Sequence, residues 1–147
     1  SPADLEARQQ LLMRLHALAK PVNDAARVAQ RLNEQMAQTQ RLLEESASAP
    51  DALKTEARTI ANDLRSLGQR LNQQRGTVQQ VFGGVDVVTA RPTDDQEWRT
   101  GRVWEETLPL ITQLNEFIET KLPALNRQLN EHGIRPDPGR PIEVPRR

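Results

Sequence analysis

Residues 53–81 read LKTEARTIANDLRSLGQRLNQQRGTVQQV. Apolar side chains fall at Leu53, Ala57, Ile60, Leu64, Leu67, Leu71, Val78 and Val81, with Gln74 filling the one polar place in the series. The steps alternate between four and three residues throughout. Such spacing returns one face of an α-helix to the same neighbour every two turns, so it predicts a helix with a heptad seam of about four repeats. The helix is expected over about 49–82, with Gly83-Gly84 stopping it near Phe82 and Gly76 as the alternative, earlier end.

Working outward, two more stretches carry helical spacing. Before this segment, Leu5, Leu12, Leu15, Ala19, Val22, Ala26, Ala29, Leu32, Met36, Thr39 and Leu43 predict a helix over about 2–45. After it, Trp104, Leu108, Ile111, Leu114, Ile118, Leu122, Leu125 and Leu129 predict a third over about 94–132. Three capping sequences punctuate the chain at the expected starts: Ser1-Pro2-Ala3-Asp4, Ser48-Ala49-Pro50-Asp51 and Thr93-Asp94-Asp95-Gln96. Each offers a side-chain oxygen to unpaired backbone N–H groups, with a carboxylate or amide three residues on to reach back. His132-Gly133-Ile134 predicts a left-handed glycine ending for the last helix.

These elements imply an all-α fold, an elongated antiparallel three-helix bundle with coiled-coil-like heptads, its helices roughly 45–65 Å long. Pro21, Pro109 and Pro123 fall inside the helical patterns, where each removes a backbone hydrogen bond, so kinks or short breaks are expected there. The bundle domain is expected to occupy 1–134. Residues 135–147, with four prolines and a glycine, predict an extended proline-rich tail.

Composition agrees with a thin core. Hydrophobic residues make up 36% of the 147 and aromatics 3%, with a mean hydropathy of −0.71. Lys and Arg number 20 against 20 Asp and Glu, and the two signs are interspersed, which argues against nucleic acid as a partner. No stretch approaches the length of a membrane span. With no cysteine, disulfides and thiolate metal sites are excluded. Neither histidine, His16 nor His132, has a second ligand at helical spacing, and the acidic pairs Glu44-Glu45, Asp94-Asp95 and Glu105-Glu106 each point to different helix faces. No acid, base, nucleophile or metal set converges, so a non-catalytic protein without cofactors is expected.

A second apolar line, Val103, Leu110 and Phe117, flanks the main stripe of helix three at seven-residue spacing. The breadth of this apolar arc admits two readings. Either helix three sits deepest in the bundle, or this edge together with Trp98 docks another domain or a second copy of the chain. Trp98, Val103, Leu110 and Phe117 are therefore the candidate interaction surface, with a homodimer as one expected outcome.

Three segments resemble the C-terminal helical region of large bacterial proteins with sortilin-like, sialidase-type β-propellers, often labelled glycosyl hydrolases. They are Ser1–Gln9 running on to Leu11-Leu12-Met13-Arg14-Leu15-His16, then Ala90–Gln96, then Leu122–Leu129. The resemblance implies a periplasmic or secreted setting and a parent chain that continues beyond these residues. It also implies that any glycosidase-like activity belongs to the propeller. The role expected on this ground is a helical accessory module that packs against or spaces the parent's other domains. The other expectation is a free-standing coiled-coil-like adaptor or oligomerisation protein whose partner is another helix.

Overall fold

The computed structural model describes residues 1–86 and 92–134. Three long helical segments account for nearly all of them, and no strand occurs among the described residues: α1 (Pro2–Glu45), α2 (Asp51–Asp86) and α3 (Asp94–Glu116), the last continuing through a π-helical turn (Phe117–Lys121) into α4 (Leu122–Glu131). The fold is an all-α helical bundle. At 1.5 Å per residue, the 44 residues of α1 make a rod about 66 Å long. The expected tail at 135–147, and most of the connection between α2 and α3, lie outside the described residues.

The helices run antiparallel in sequence. Asn33 of α1 donates to the Leu64 carbonyl of α2 at 3.2 Å, and the His16 and Phe82 rings lie 6.3 Å apart, so α2 retraces α1. Gln96 of α3 donates to the Gly84 carbonyl at 3.2 Å and Thr107 donates to the Gln74 side chain at 3.2 Å, so α3 retraces α2. Each long helix touches the other two, most extensively α1 with α2 and least α1 with α3.

In α2 every apolar position of the seam is buried, Leu53, Ala57, Ile60, Leu64, Leu67, Leu71, Val78 and Val81, and Ala61 and Gly68 beside it are buried as well. Its ends differ from expectation. Ser48 does not cap it; the Ser48 hydroxyl lies 3.3 Å from that of Ser46 instead, and α2 begins at Asp51, where the Pro50 carbonyl accepts the first backbone bonds. The residue before a proline is pushed out of helical backbone, and this places the helix start beyond Ala49-Pro50. At the far end α2 passes through Gly83-Gly84 to Asp86.

In α1 the expected stripe is partly displaced. Leu5 is exposed and Leu12 and Ala19 are half-buried, whereas Leu11, Leu18 and Ala25 lie in the core. The buried face steps Leu11, Leu15, Leu18, Val22, Ala25 and Ala29, then Met36, Thr39 and Leu43. Thr39 satisfies its hydroxyl on the Gln35 carbonyl one turn back at 3.1 Å and so behaves as a core residue. Pro21 sits inside α1 on the exposed side, and the helix is continuous through it.

α1 passes close to Gly68 of α2, where an added Cβ would stand 2.8 Å from Asn33 Nδ2 and 3.8 Å from Ala29 Cβ. Gly68→Ala is expected to change stability by less than about 1 kcal/mol. Its gain in helix propensity is offset when Asn33 swings away from the Leu64 carbonyl. Gly68→Leu has no such escape and is expected to cost about 1–3 kcal/mol by overpacking, read as a lower denaturation midpoint.

The π-helical turn has two causes. Before it, the buried residues step Thr100, Val103, Thr107, Leu110, Leu114 and Phe117, by three and four; after it come half-buried Leu122, then buried Leu125 and Leu129. The step from Phe117 to Leu122 is five residues, one more than a helical face allows. A turn in which the Leu122 N–H reaches back to the Phe117 carbonyl absorbs the extra residue. The same widening lies directly ahead of Pro123, whose ring would otherwise meet the carbonyl of Glu119. α4 ends as expected. Gly133 adopts φ +70°, its N–H donates to the Asn130 carbonyl at 3.1 Å, and the Ile134 N–H donates to the Leu129 carbonyl at 2.9 Å.

Candidate interaction surface

The four residues expected to form an edge on α3 do not share a surface. Val103, Leu110 and Phe117 are 3%, 6% and 4% exposed, so the line they form is core and faces α1 and α2. The correction follows from two threonines. Thr100 and Thr107 continue the same line and are fully buried; Thr100 donates to the Gln96 carbonyl at 2.8 Å and Thr107 to Gln74. With their hydroxyls satisfied they pack as small apolar residues. The inward face of α3 is thus rotated from the stripe read in the sequence. Trp104 and Ile111 of that stripe are half-buried, and Leu108 and Ile118 are exposed.

Trp98 is exposed. It begins a polar chain that runs from the surface inward. The Arg102 guanidinium lies 5.6 Å from the Trp98 ring centroid, and Arg102 Nε pairs with a Glu106 carboxylate oxygen at 3.1 Å. The other Glu106 oxygen accepts from Gln74 Nε2 at 3.2 Å, and Gln74 Oε1 accepts from Thr107. The polar residue of the α2 seam therefore ties α2 to α3 in one register.

The sequence reading missed an apolar surface feature. On the α1–α2 side, Gln9, Leu12, Met13, His16 and Ala17 of α1 and Phe82 of α2 line a shallow, open depression of about 390 Å³. Adjoining it, a second of about 310 Å³ is lined by Ala19, Val78, Gln79 and Gly83 and shares His16 and Phe82 with the first. Met13, 65% exposed, stands at the rim, and Leu5 is exposed about two turns before it. Among the described residues that line the two, none is Asp, Glu, Lys or Arg, although these make up 27% of the chain. A face left apolar amid so many charges is the composition of a contact surface.

A third hollow, of about 380 Å³, lies between α2 and α3 beside the π-helical turn. Asp63, Arg70, Glu116 and Lys121 ring it, with Lys121 Nζ 4.6 Å from the Phe117 ring centroid. The first three are exposed and the groove is of mixed sign, as on an ordinary solvated helix pair. His16 and His132 are both exposed and far apart along the bundle, and no three His, Asp or Glu side chains among the described residues come together as a metal site. No described helix is long and apolar enough to cross a membrane. No protein family, curated protein or solved structure matches this chain.

Proposed function

We propose that this chain is a non-catalytic helical module whose work is protein–protein contact, packing against or spacing the folded domains around it. One observation carries the reading: on a rod of helices, Leu12, Met13, His16 and Phe82 build an apolar face whose described lining holds no Asp, Glu, Lys or Arg, in a chain of which these make up 27%. We read the three-and-four spacing of its buried residues as coiled-coil-like packing, and Pro21, Pro109 and Pro123 as bends that fit the rod to its neighbours. In the setting that the resemblance implies, those neighbours are the β-propeller domains of a large exported bacterial protein. The second reading is a free-standing adaptor or oligomerisation protein, which the same face favours because a helix would fit it equally well.

Hydrogen–deuterium exchange of the chain alone and within its full-length gene product tests the module reading. Backbone amides on at least one exposed face are expected to gain protection in the full-length protein, and the reading frame upstream of Ser1 is expected to encode propeller repeats. Identical exchange in both contexts overturns the module reading; a start codon just upstream of Ser1 selects the adaptor. The isolated chain is expected to hydrolyse no sialoside or other glycoside and to bind neither zinc nor calcium. Stoichiometric metal binding in a calorimetric titration, or glycoside turnover, overturns the non-catalytic assignment.

A further inference from the structure

We infer that the rod has a transverse joint at the level of Gln74 and Thr107, and that the end holding the starts of α1 and α3 opens there as one piece while the rest stays folded. This joint belongs to the fold itself and is independent of what the rod contacts.

The core changes character at this level. On one side Leu11, Leu15, Leu18 and Val22 of α1 pack with Val78, Val81 and Val103. On the other a larger cluster starts with Ala25 on α1, Leu71 on α2 and Leu110 on α3. At the boundary the described residues that face inward are small or polar: Ala25 and Ala26, half-buried Gln74, and Thr107. Alanine buries little apolar area. The Thr107–Gln74 hydrogen bond fixes register, but it adds only modestly to stability, and the polar chain it belongs to runs out to exposed Glu106 and Arg102. Each side is therefore held together by its own leucines and valines more firmly than it is held to the other.

All three helices are weakened at this same level, each by a different residue. Pro21 takes one backbone bond out of α1 and Pro109 one out of α3, while Gly76 lowers the helix propensity of α2. The antiparallel register brings them together. Five residues on from His16 and five back from Phe82 lead to Pro21 and Thr77. Two on from Gln74 and two back from Thr107 lead to Gly76 and Glu105, whose carbonyl loses its helical donor to Pro109. Both prolines are exposed, and a Cβ at Gly76 would meet nothing within 4 Å, so close packing accounts for none of the three. An opening that parts every helix at its own weak place is easiest where those places lie level.

Native-state hydrogen exchange of the whole chain in rising, sub-denaturing guanidinium tests this. Amides of Leu11–Val22, Val78–Val81 and Thr100–Val103 are expected to share one opening, with protection at least about tenfold below that of Leu64, Leu67 and Leu114. The change is expected as a step between Val22 and Ala25, between Leu71 and Val78, and between Val103 and Leu110. Ile60→Val, a mild cut in the larger cluster about 20 Å along α2 from Gln74, is expected to lower protection there roughly two- to tenfold. It is expected to leave the smaller end unchanged, because that end opens without the larger cluster. Leu15→Ala is expected to strip protection from the smaller end and leave Leu64, Leu67 and Leu114 protected and the chain largely helical. Protection that slopes smoothly toward the helix ends, as in simple fraying, overturns the inference. So does a step at another level, an equal loss at both ends from Ile60→Val, or complete unfolding by Leu15→Ala.

Discussion

Leu64→Asp is expected to unfold the chain. Leu64 is completely buried at the middle of α2, within the larger of the two core clusters, where Ala29 and Asn33 of α1 pass close by. Losing its packing costs about 2–5 kcal/mol, and a carboxylate with no partner adds a further penalty. The sum rivals the roughly 5–15 kcal/mol that holds a typical domain together. Thermal melts followed by circular dichroism should show the cooperative transition lost or shifted far down. Ile118→Asp is the contrast. The sequence places Ile118 in the main stripe of helix three, but the side chain is 41% exposed, so the same substitution there is expected to cost no more than about 1 kcal/mol. Equal damage at both sites would mean that the inward face of α3 is misplaced.

Removing a single residue from α3 is expected to be ruinous at one place and tolerated at another. Deletion of Glu105, itself exposed, turns everything beyond it by about 100° about the helix axis. Thr107, Leu110, Leu114 and Phe117 then leave the core together, at about 1.5–3 kcal/mol for each large apolar side chain exposed. Deletion of Thr120 acts on the turn that already holds one residue too many. It converts the π-helical turn to an α-helical one and leaves Phe117, Leu125 and Leu129 facing inward. Because the widened turn also accommodates the ring of Pro123, the deletion is best made together with Pro123→Ala. The pair is expected to cost less than about 2 kcal/mol. Loss of helical circular dichroism from the Thr120 deletion comparable to that from the Glu105 deletion would show that the turn is not a stored insertion.

What could be read in advance varied with how purely each helix writes its pattern. α2 alternates by four and three with one polar exception, and every apolar residue of the predicted seam is buried, with Ala61 the one apolar core residue the seam left out. α1 has adjacent leucines at Leu11-Leu12 and adjacent alanines at Ala25-Ala26, and spacing alone does not say which of each pair turns inward; both alanines are buried, but only Leu11 of the leucines. On α3, counting threonine as polar hid the true face. Thr100, Val103, Thr107, Leu110, Leu114 and Phe117 alternate by three and four as regularly as α2 does, and threonine with a backbone or side-chain acceptor in reach qualifies as core. The Ser48 cap was lost to Pro50, a neighbour effect visible in the sequence. The apolar face was not legible at all. It joins Met13 and His16 to Phe82, nearly seventy residues away, and only the antiparallel return of α2 brings them together.

The core of this bundle is divided. Leu11, Leu15, Leu18, Val22, Val78, Val81 and Val103 form one cluster, and the residues from Ala25 on α1 to Ile134 form another. Both tryptophans belong to the end that holds the smaller cluster: Trp104 packs directly against it, and Trp98 lies a turn and a half earlier on α3. There is no tyrosine. Intrinsic fluorescence therefore sees one end of the rod, while far-ultraviolet dichroism sums over its whole length. If the two clusters melt as separate cooperative units, the fluorescence and dichroism curves will part, and the gap between them measures how firmly one end is coupled to the other.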